Sequence, residues 1–98
     1  GLEQMVNDNL NTDKEWEQFK DLFDKVHSGF FSGLKDQFPD LSEHELRLCA
    51  YLRINLRNKE IARILNVSPG TVNTTRYRIR KKLRLEPEAS LEDYLRAF

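Results

Sequence analysis

Residues 58–84 read NKEIARILNVSPGTVNTTRYRIRKKLR, and the fold turns on how this stretch is divided. Asn58 is read as the cap of a short helix, Lys59 to Leu65, with Ile61, Ala62 and Leu65 facing inward. Asn66-Val67 makes a tight turn. Ser68-Pro69 restarts the chain, because serine caps well and proline suits the first helical position. A longer helix then runs from Pro69 to about Arg84. At about 100° per residue, with Val72 set at zero, Ile79 and Leu83 fall within about 20° of it. Thr75 and Arg76 flank that stripe. Thr74, Tyr77, Arg78, Lys81 and Arg84 lie on the far side, with Asn73 and Arg80 at its edge.

Short helix, tight turn and long helix make a helix-turn-helix, in which the second helix enters the major groove of DNA. The apolar stripe of that helix would pack on Ile61, Ala62 and Leu65. Its other face offers short polar groups near the start and cations towards the end. Asn73 and Thr74 can reach base edges there, and asparagine suits adenine. Arginine and lysine further along can meet the flanking phosphates, which positions the helix without reading sequence. A basic run at a helix C-terminus also complements the macrodipole and is often simply solvated. Its place directly after a cap, a turn and a short helix favours nucleic acid.

The rest of the chain is consistent with this centre. Ninety-eight residues form one small domain with an added arm, 39% hydrophobic and 33% charged. Net charge is zero but segregated: −5 over residues 1–41, +7 over 42–86 and −2 over 87–98. An acidic arm, a basic centre and an acidic end point to an anionic partner for the centre. The lone Cys49 excludes an internal disulfide and fits a reducing compartment, so a cytoplasmic location is expected. His27 and His44 stand too far apart to give zinc-ligand spacing, and neither a metal nor a cofactor is expected. No phosphate-binding glycine loop, nucleophile–base pair or carboxylate pair appears, so the chain does not read as an enzyme. No small-molecule ligand is expected for it.

Outside the centre, residues 1–12 read as a disordered lead-in, with Gly1 a tag remnant, and Asp13 as an N-cap. Residues 13–40 read as an amphipathic helical extension bearing the stripe Trp16, Phe19, Phe23, Val26, Phe30 and Leu34. Ser28-Gly29 interrupts it, leaving open two helices or one long bent one, and Pro39 ends it. The stripe is either a parallel dimer seam or a surface that folds back to complete a small core. Its aromatic content favours the second, because two-stranded seams prefer Leu, Ile and Val. The DNA-binding domain is expected over 41–98. Ser42 and Glu45 have capping-box spacing, with Leu41 as a staple, and open a helix to about Ile54 that buries Leu48, Cys49 and Leu52. Asn55 sits where a left-handed residue is needed. After Glu86-Pro87, Ser90 to Asp93 caps a last amphipathic helix carrying Leu91, Tyr94, Leu95 and Phe98. Nothing reads as strand, and the class is all-α.

At these residues a family is recognisable. Leu41 to Leu85 resembles the LuxR/GerE-type helix-turn-helix domain of NarL- and FixJ-like response regulators. The pattern runs without a gap through Leu41, Ser42, Glu45, Leu48, Asn58-Lys59-Glu60-Ile61-Ala62, Leu65, Ser68, Thr71-Val72, Ile79, Lys82 and Leu83. The resemblance implies base reading by Asn73, Thr74 and Tyr77. It implies phosphate contact by Thr71, Arg78, Lys81 and the backbone near Ser68. Asn73 and Thr75 stand where the family commonly has lysine and histidine, which bears on base preference rather than on the fold. The usual Val-x-x-Arg segment after Lys-Leu is replaced by Glu86-Pro-Glu-Ala-Ser90, which bears on where a dimer helix lies. The aromatic lead-in with LRLCAYLRINLRNKEIA and RYRIRKKL resembles the cytoplasmic C-terminal domain of Bacteroidetes membrane-spanning regulators of two-component type. Their sensor halves carry β-propeller repeats and a triple-tyrosine domain.

The expected function is sequence-specific binding of double-stranded DNA by the output domain of a transcription regulator, acting as a homodimer on paired half-sites. A sigma-region-4-like module, with RNA polymerase as partner, is one alternative, since Glu-Ile-Ala and Thr-Val also occur there. A protein-interaction module acting through the aromatic helix is another. Cys49 reads as a small core residue, His44 as surface, and His27 as a complement to a helix end. Glu60 is expected to pair with Arg76 or Arg80 and so set the angle between the two helices.

Overall fold

The computed structural model describes residues 2–98, with side chains described from Lys14 onward. Its elements are α1 (Leu2–Val26), α2 (Phe30–Gln37), α3 (Glu43–Arg53), α4 (Asn58–Leu65), α5 (Pro69–Lys82) and α6 (Leu91–Arg96), with no strand among the described residues. The molecule is all-helical, as the sequence pattern predicts. The chain forms two compact units, residues 1–30 and 31–98.

The first unit is α1 and the turn after it. The helix runs from Leu2 through Asp13, where the sequence reading placed a cap, because no proline or glycine falls between residues 2 and 26 to stop it. Gly1, read as a tag remnant, and the side chains of residues 2–13 lie outside the described residues. The aromatic rings form a ladder: Trp16–Phe19 centroids are 5.6 Å apart, Phe19–Phe23 5.7 Å and Phe23–Phe30 5.2 Å. His27 sits against Phe23 at 4.7 Å, a ring contact beyond the helix-end role expected of it. Trp16 and Phe23 are buried and Phe19 is half-buried. Val26 departs from the predicted stripe and is 75% exposed, since α1 ends at that residue. Gly29, at φ +84°, breaks the chain into two helices rather than one bent one.

In the second unit, α3 begins at the expected capping box. The Ser42 N–H donates to Glu45 Oε1 at 2.8 Å, and the Glu45 N–H donates to Ser42 Oγ at 3.1 Å. α4 and α5 pack together, and α3 packs on both α5 and α6. Leu34, Leu46, Leu48, Cys49, Leu52, Ile61, Val72, Ile79, Leu91 and Leu95 make the buried centre. All of α2 after Phe30 falls in this unit. Just after α2, the Phe38 ring lies 6.4 Å from both Tyr94 and Phe98, which are 5.6 Å from each other.

Three helices end in the same way. A left-handed residue stands at Asn55 (φ +67°), Asn66 (φ +57°) and Arg84 (φ +57°). The N–H of the following residue then reaches five back, as Leu56 to the Tyr51 carbonyl, Val67 to Ala62 and Leu85 to Arg80, at 3.1, 2.9 and 3.1 Å. The two asparagines tolerate this conformation. The third, an arginine, carries a steric cost.

Candidate nucleic-acid interface

The start of α5 is organised by Ser68. Its Oγ accepts from the Thr71 N–H at 3.2 Å and lies 3.0 Å from Thr71 Oγ1, while Pro69 occupies the first turn. Thr74 Oγ1 donates to the Gly70 carbonyl at 3.1 Å, so its hydroxyl hydrogen is turned inward along the helix. The inward stripe is as the periodicity requires, with Val72, Thr75, Ile79 and Leu83 all buried. Ser68, Thr71, Asn73, Thr74, Tyr77, Arg78 and Lys81 are all exposed, and helix geometry gathers them on α5 and its cap. Tyr77 is 57% exposed, and Lys81 Nζ stands 4.8 Å from its ring centroid.

The basic run divides in a way that its composition does not reveal. Arg76 Nη1 donates to Asn58 Oδ1 at 3.0 Å, and Nη2 forms an ion pair with Glu92 of α6. Arg80 donates to the carbonyls of Ala89, Glu86 and Pro87 at 2.7, 2.9 and 3.0 Å, holding the loop before α6. Lys82 reaches the Asp40 carbonyl at 2.9 Å and Glu45 Oε1 at 2.7 Å. These three cations hold the fold together. Arg78 and Arg84 make no side-chain hydrogen bond or ion pair among the described residues, and Lys81 has only the Tyr77 ring.

Two expectations about α4 need correction. The residue at its cap is Arg57, whose N–H donates to Glu60 Oε1 at 3.0 Å, and Asn58 is already helical. Glu60 therefore turns back to its own helix start and pairs with neither Arg76 nor Arg80. Asn58 couples the two helices instead, with its Nδ2 donating to Asn73 Oδ1 at 2.6 Å while its Oδ1 accepts from Arg76. Sequence reasoning assigned Asn58 only a capping role. Its partners stand fifteen and eighteen residues away, beyond the reach of any local spacing rule.

Electrostatics follow the same division. Burial would raise the Glu45 carboxyl, but Lys82 and the Ser42 cap outweigh it and hold the group below its ordinary value. Glu92 is likewise lowered: burial opposes ionisation, and its own backbone N–H, Arg76 and Ser90 overcome it. Burial, reinforced by the nearby Glu45 charge, pushes the Cys49 thiol up to about 12. Among the described residues no helix is long and apolar enough to cross a membrane, and no three His, Cys, Asp or Glu side chains are placed to hold a metal.

Residues 39–94 match the model of a family described as bacterial regulatory proteins, luxR family. The chain is 39% identical over 54 residues to the response regulator UvrY of Escherichia coli K12, and equally to UvrY of Shigella flexneri. That alignment takes in 55% of this chain and 25% of each relative, so the chain spans about a quarter of the length of these curated proteins. No solved structure matches it.

Proposed function

We propose, for a chain that belongs to the luxR family of bacterial regulatory proteins and is thereby a DNA-binding output domain of a transcription regulator, that α5 is the recognition helix and binds sequence-specifically in the major groove of double-stranded DNA. One observation carries this reading. Of the six cations from Arg76 to Arg84, three are engaged by the fold; of the other three, Arg78 and Lys81 share the exposed side of α5 with Asn73, Thr74 and Tyr77, and Arg84 follows just beyond the helix end. A merely solvated basic helix has no reason to combine exposed base-reading groups at its start with free cations at its end.

In this reading Asn73, Thr74 and Tyr77 face base edges. Ser68 and Thr71 at the cap, with Arg78 and Lys81 beyond, meet the phosphates on either side of the groove. The domain acts as a homodimer on paired half-sites in the cytoplasm. The larger protein is a regulator of two-component type, and the resemblance of residues 13–98 to the Bacteroidetes membrane-spanning regulators makes a sensor outside the membrane its input. The similarity to response regulators supports the first part of that statement.

The test is a titration of a random-sequence duplex pool at low and near-physiological salt, with the bound fraction sequenced. Salt-sensitive binding with an enriched, palindromic motif is expected. Salt-sensitive binding without enrichment would reduce α5 to a basic surface, and absence of binding at low salt would remove DNA as the partner of this chain.

A further inference from the structure

The side chains of Glu92, Arg76, Asn58 and Asn73 form one connected line from α6 across α5 to the start of α4 and back to the exposed side of α5. Its polarity is decided by chemistry at one link. A guanidinium carries only donors, so the Asn58 atom facing Arg76 must be the oxygen. The Asn58 amide nitrogen is then the atom facing Asn73, and a donor there requires the Asn73 oxygen opposite it. The Asn73 oxygen is thus engaged within the protein, and the NH2 group is the end left for a ligand. Arg76 is itself held by Glu92, whose second oxygen accepts from Ser90 Oγ at 3.2 Å, so the line is anchored at the N-terminus of α6.

We propose that Asn73 reads DNA as a hydrogen-bond donor, and that Asn58, positioned by Arg76 and Glu92, sets this polarity. The inference rests on α5 lying in the major groove, and it changes the base expected there. The two-point contact of asparagine with adenine needs an amide oxygen for the adenine amino group as well as a nitrogen for N7. The bond to Asn58 uses one of the two lone pairs of the Asn73 oxygen and turns that end of the amide towards α4, so that the outward NH2 selects an edge rich in acceptors: guanine O6 and N7 first, thymine O4 second. Adenine loses half of its contact, and cytosine presents a donor to a donor.

Two isosteric variants reverse the polarity by different routes. Asn58→Asp keeps an oxygen towards Arg76 but offers a second oxygen to residue 73, so the Asn73 amide turns over and presents its oxygen outward. Asn73→Asp still accepts from Asn58 and presents a carboxylate oxygen to the base. Selection from the random duplex pool would be run on the 98-residue chain and both variants, with Asn73→Ala identifying the base position concerned. The expected result is guanine or thymine at that position for the parent chain. In both variants the preference should move to adenine or cytosine by roughly tenfold, with the other positions unchanged. Adenine in the parent chain, or an unmoved preference in Asn58→Asp, would overturn the proposal.

Side-chain amide NMR of the free protein reads the polarity without DNA. One Asn58 amide proton should exchange slowly with water and the Asn73 pair rapidly, whereas in Asn58→Asp the slow proton should belong to Asn73. A slow Asn73 proton in the parent chain would overturn the relay. An unenriched pool combined with the expected NMR pattern would instead count against the groove reading, because the relay would stand while the site it serves would not.

Discussion

Glu45 Oε1 and Lys82 Nζ lie 2.7 Å apart, tying the first turn of α3 to the last turn of α5. The Glu45 side chain is 7% exposed and that of Lys82 35%, so the carboxylate depends on this partner more than the lysine does. The neighbouring Lys81 has no such tie and stands over Tyr77. Two adjacent lysines therefore have opposite roles.

Lys82→Ala should lower folding stability by about 1–3 kcal/mol, since it strips a charged hydrogen-bond partner from a buried carboxylate, and should leave the salt dependence of DNA binding nearly unchanged. Lys81→Ala should do the reverse. Its melting temperature should stay close to the parent's, while the slope of log affinity against log salt should fall by about 0.9, the value for one lost phosphate contact. Thermal melts and salt titrations of both variants check the pair. Equal salt slopes in the two would show that Lys81 does not meet phosphate.

Arg84 adopts the left-handed conformation at the end of α5, with φ +57°. That conformation costs a residue with a Cβ roughly 1–2 kcal/mol, and glycine returns about 0.4–1 kcal/mol of it through greater freedom when unfolded. Arg84→Gly should therefore stabilise the domain by about 0.5–1 kcal/mol, read as a raised denaturation midpoint. A lowered midpoint would mean that the arginine side chain stabilises the fold through contacts of its own.

Acid should weaken the second unit through Glu45 and Glu92. Both carboxyls are lowered in the folded chain below their ordinary 4.5. Each therefore contributes stability that is fully present above that value and is lost as the pH falls through the lowered folded value. Melting temperature should drop on going from about pH 6 to about pH 3. The drop should be shallower in Glu45→Gln and in Glu92→Gln, because each removes one titrating group. Parallel curves for parent and variants would place the acid sensitivity elsewhere.

Cys49 is fully buried, with its thiol raised from 9.0 to about 12. Near neutral pH the folded chain should hold on the order of 10³ less thiolate than an exposed cysteine, and alkylation should proceed only as the protein unfolds. Labelling rates with and without denaturant check this. Rapid labelling of the folded protein would contradict the packing of α3.

Much of this architecture was legible in the sequence because it is local. Ser42, Ser68 and Ser90 each cap a helix through an N–H three residues on, a contact that spacing alone can predict. The inward stripe of Val72, Ile79 and Leu83 follows from helical period, and Asn55 needs only the preference of asparagine for the left-handed region. The exposed positions of Asn73, Thr74, Tyr77, Arg78 and Lys81 follow from the same period. Arg57 displaced Asn58 as the cap because the Glu60 carboxylate can serve any backbone N–H three residues before it, whatever that residue's side chain.

The amino-acid sequence by itself thus determined where helices begin and end, which side of each is buried, and that a polar start and a basic end share the outer side of α5. Tertiary structure decided which of the cations are tied up by partners of their own. Helical period sets Arg76 and Arg80 closer to the buried stripe than Arg78 and Lys81, but the partners that hold Arg76, Arg80 and Lys82 lie six to forty-two residues away, on α4, on α6 and the loop before it, and around the start of α3. It also decided which end of the Asn73 amide faces outward. A side chain with both a donor and an acceptor has no polarity of its own, and it acquires one only from a neighbour that can do no more than donate.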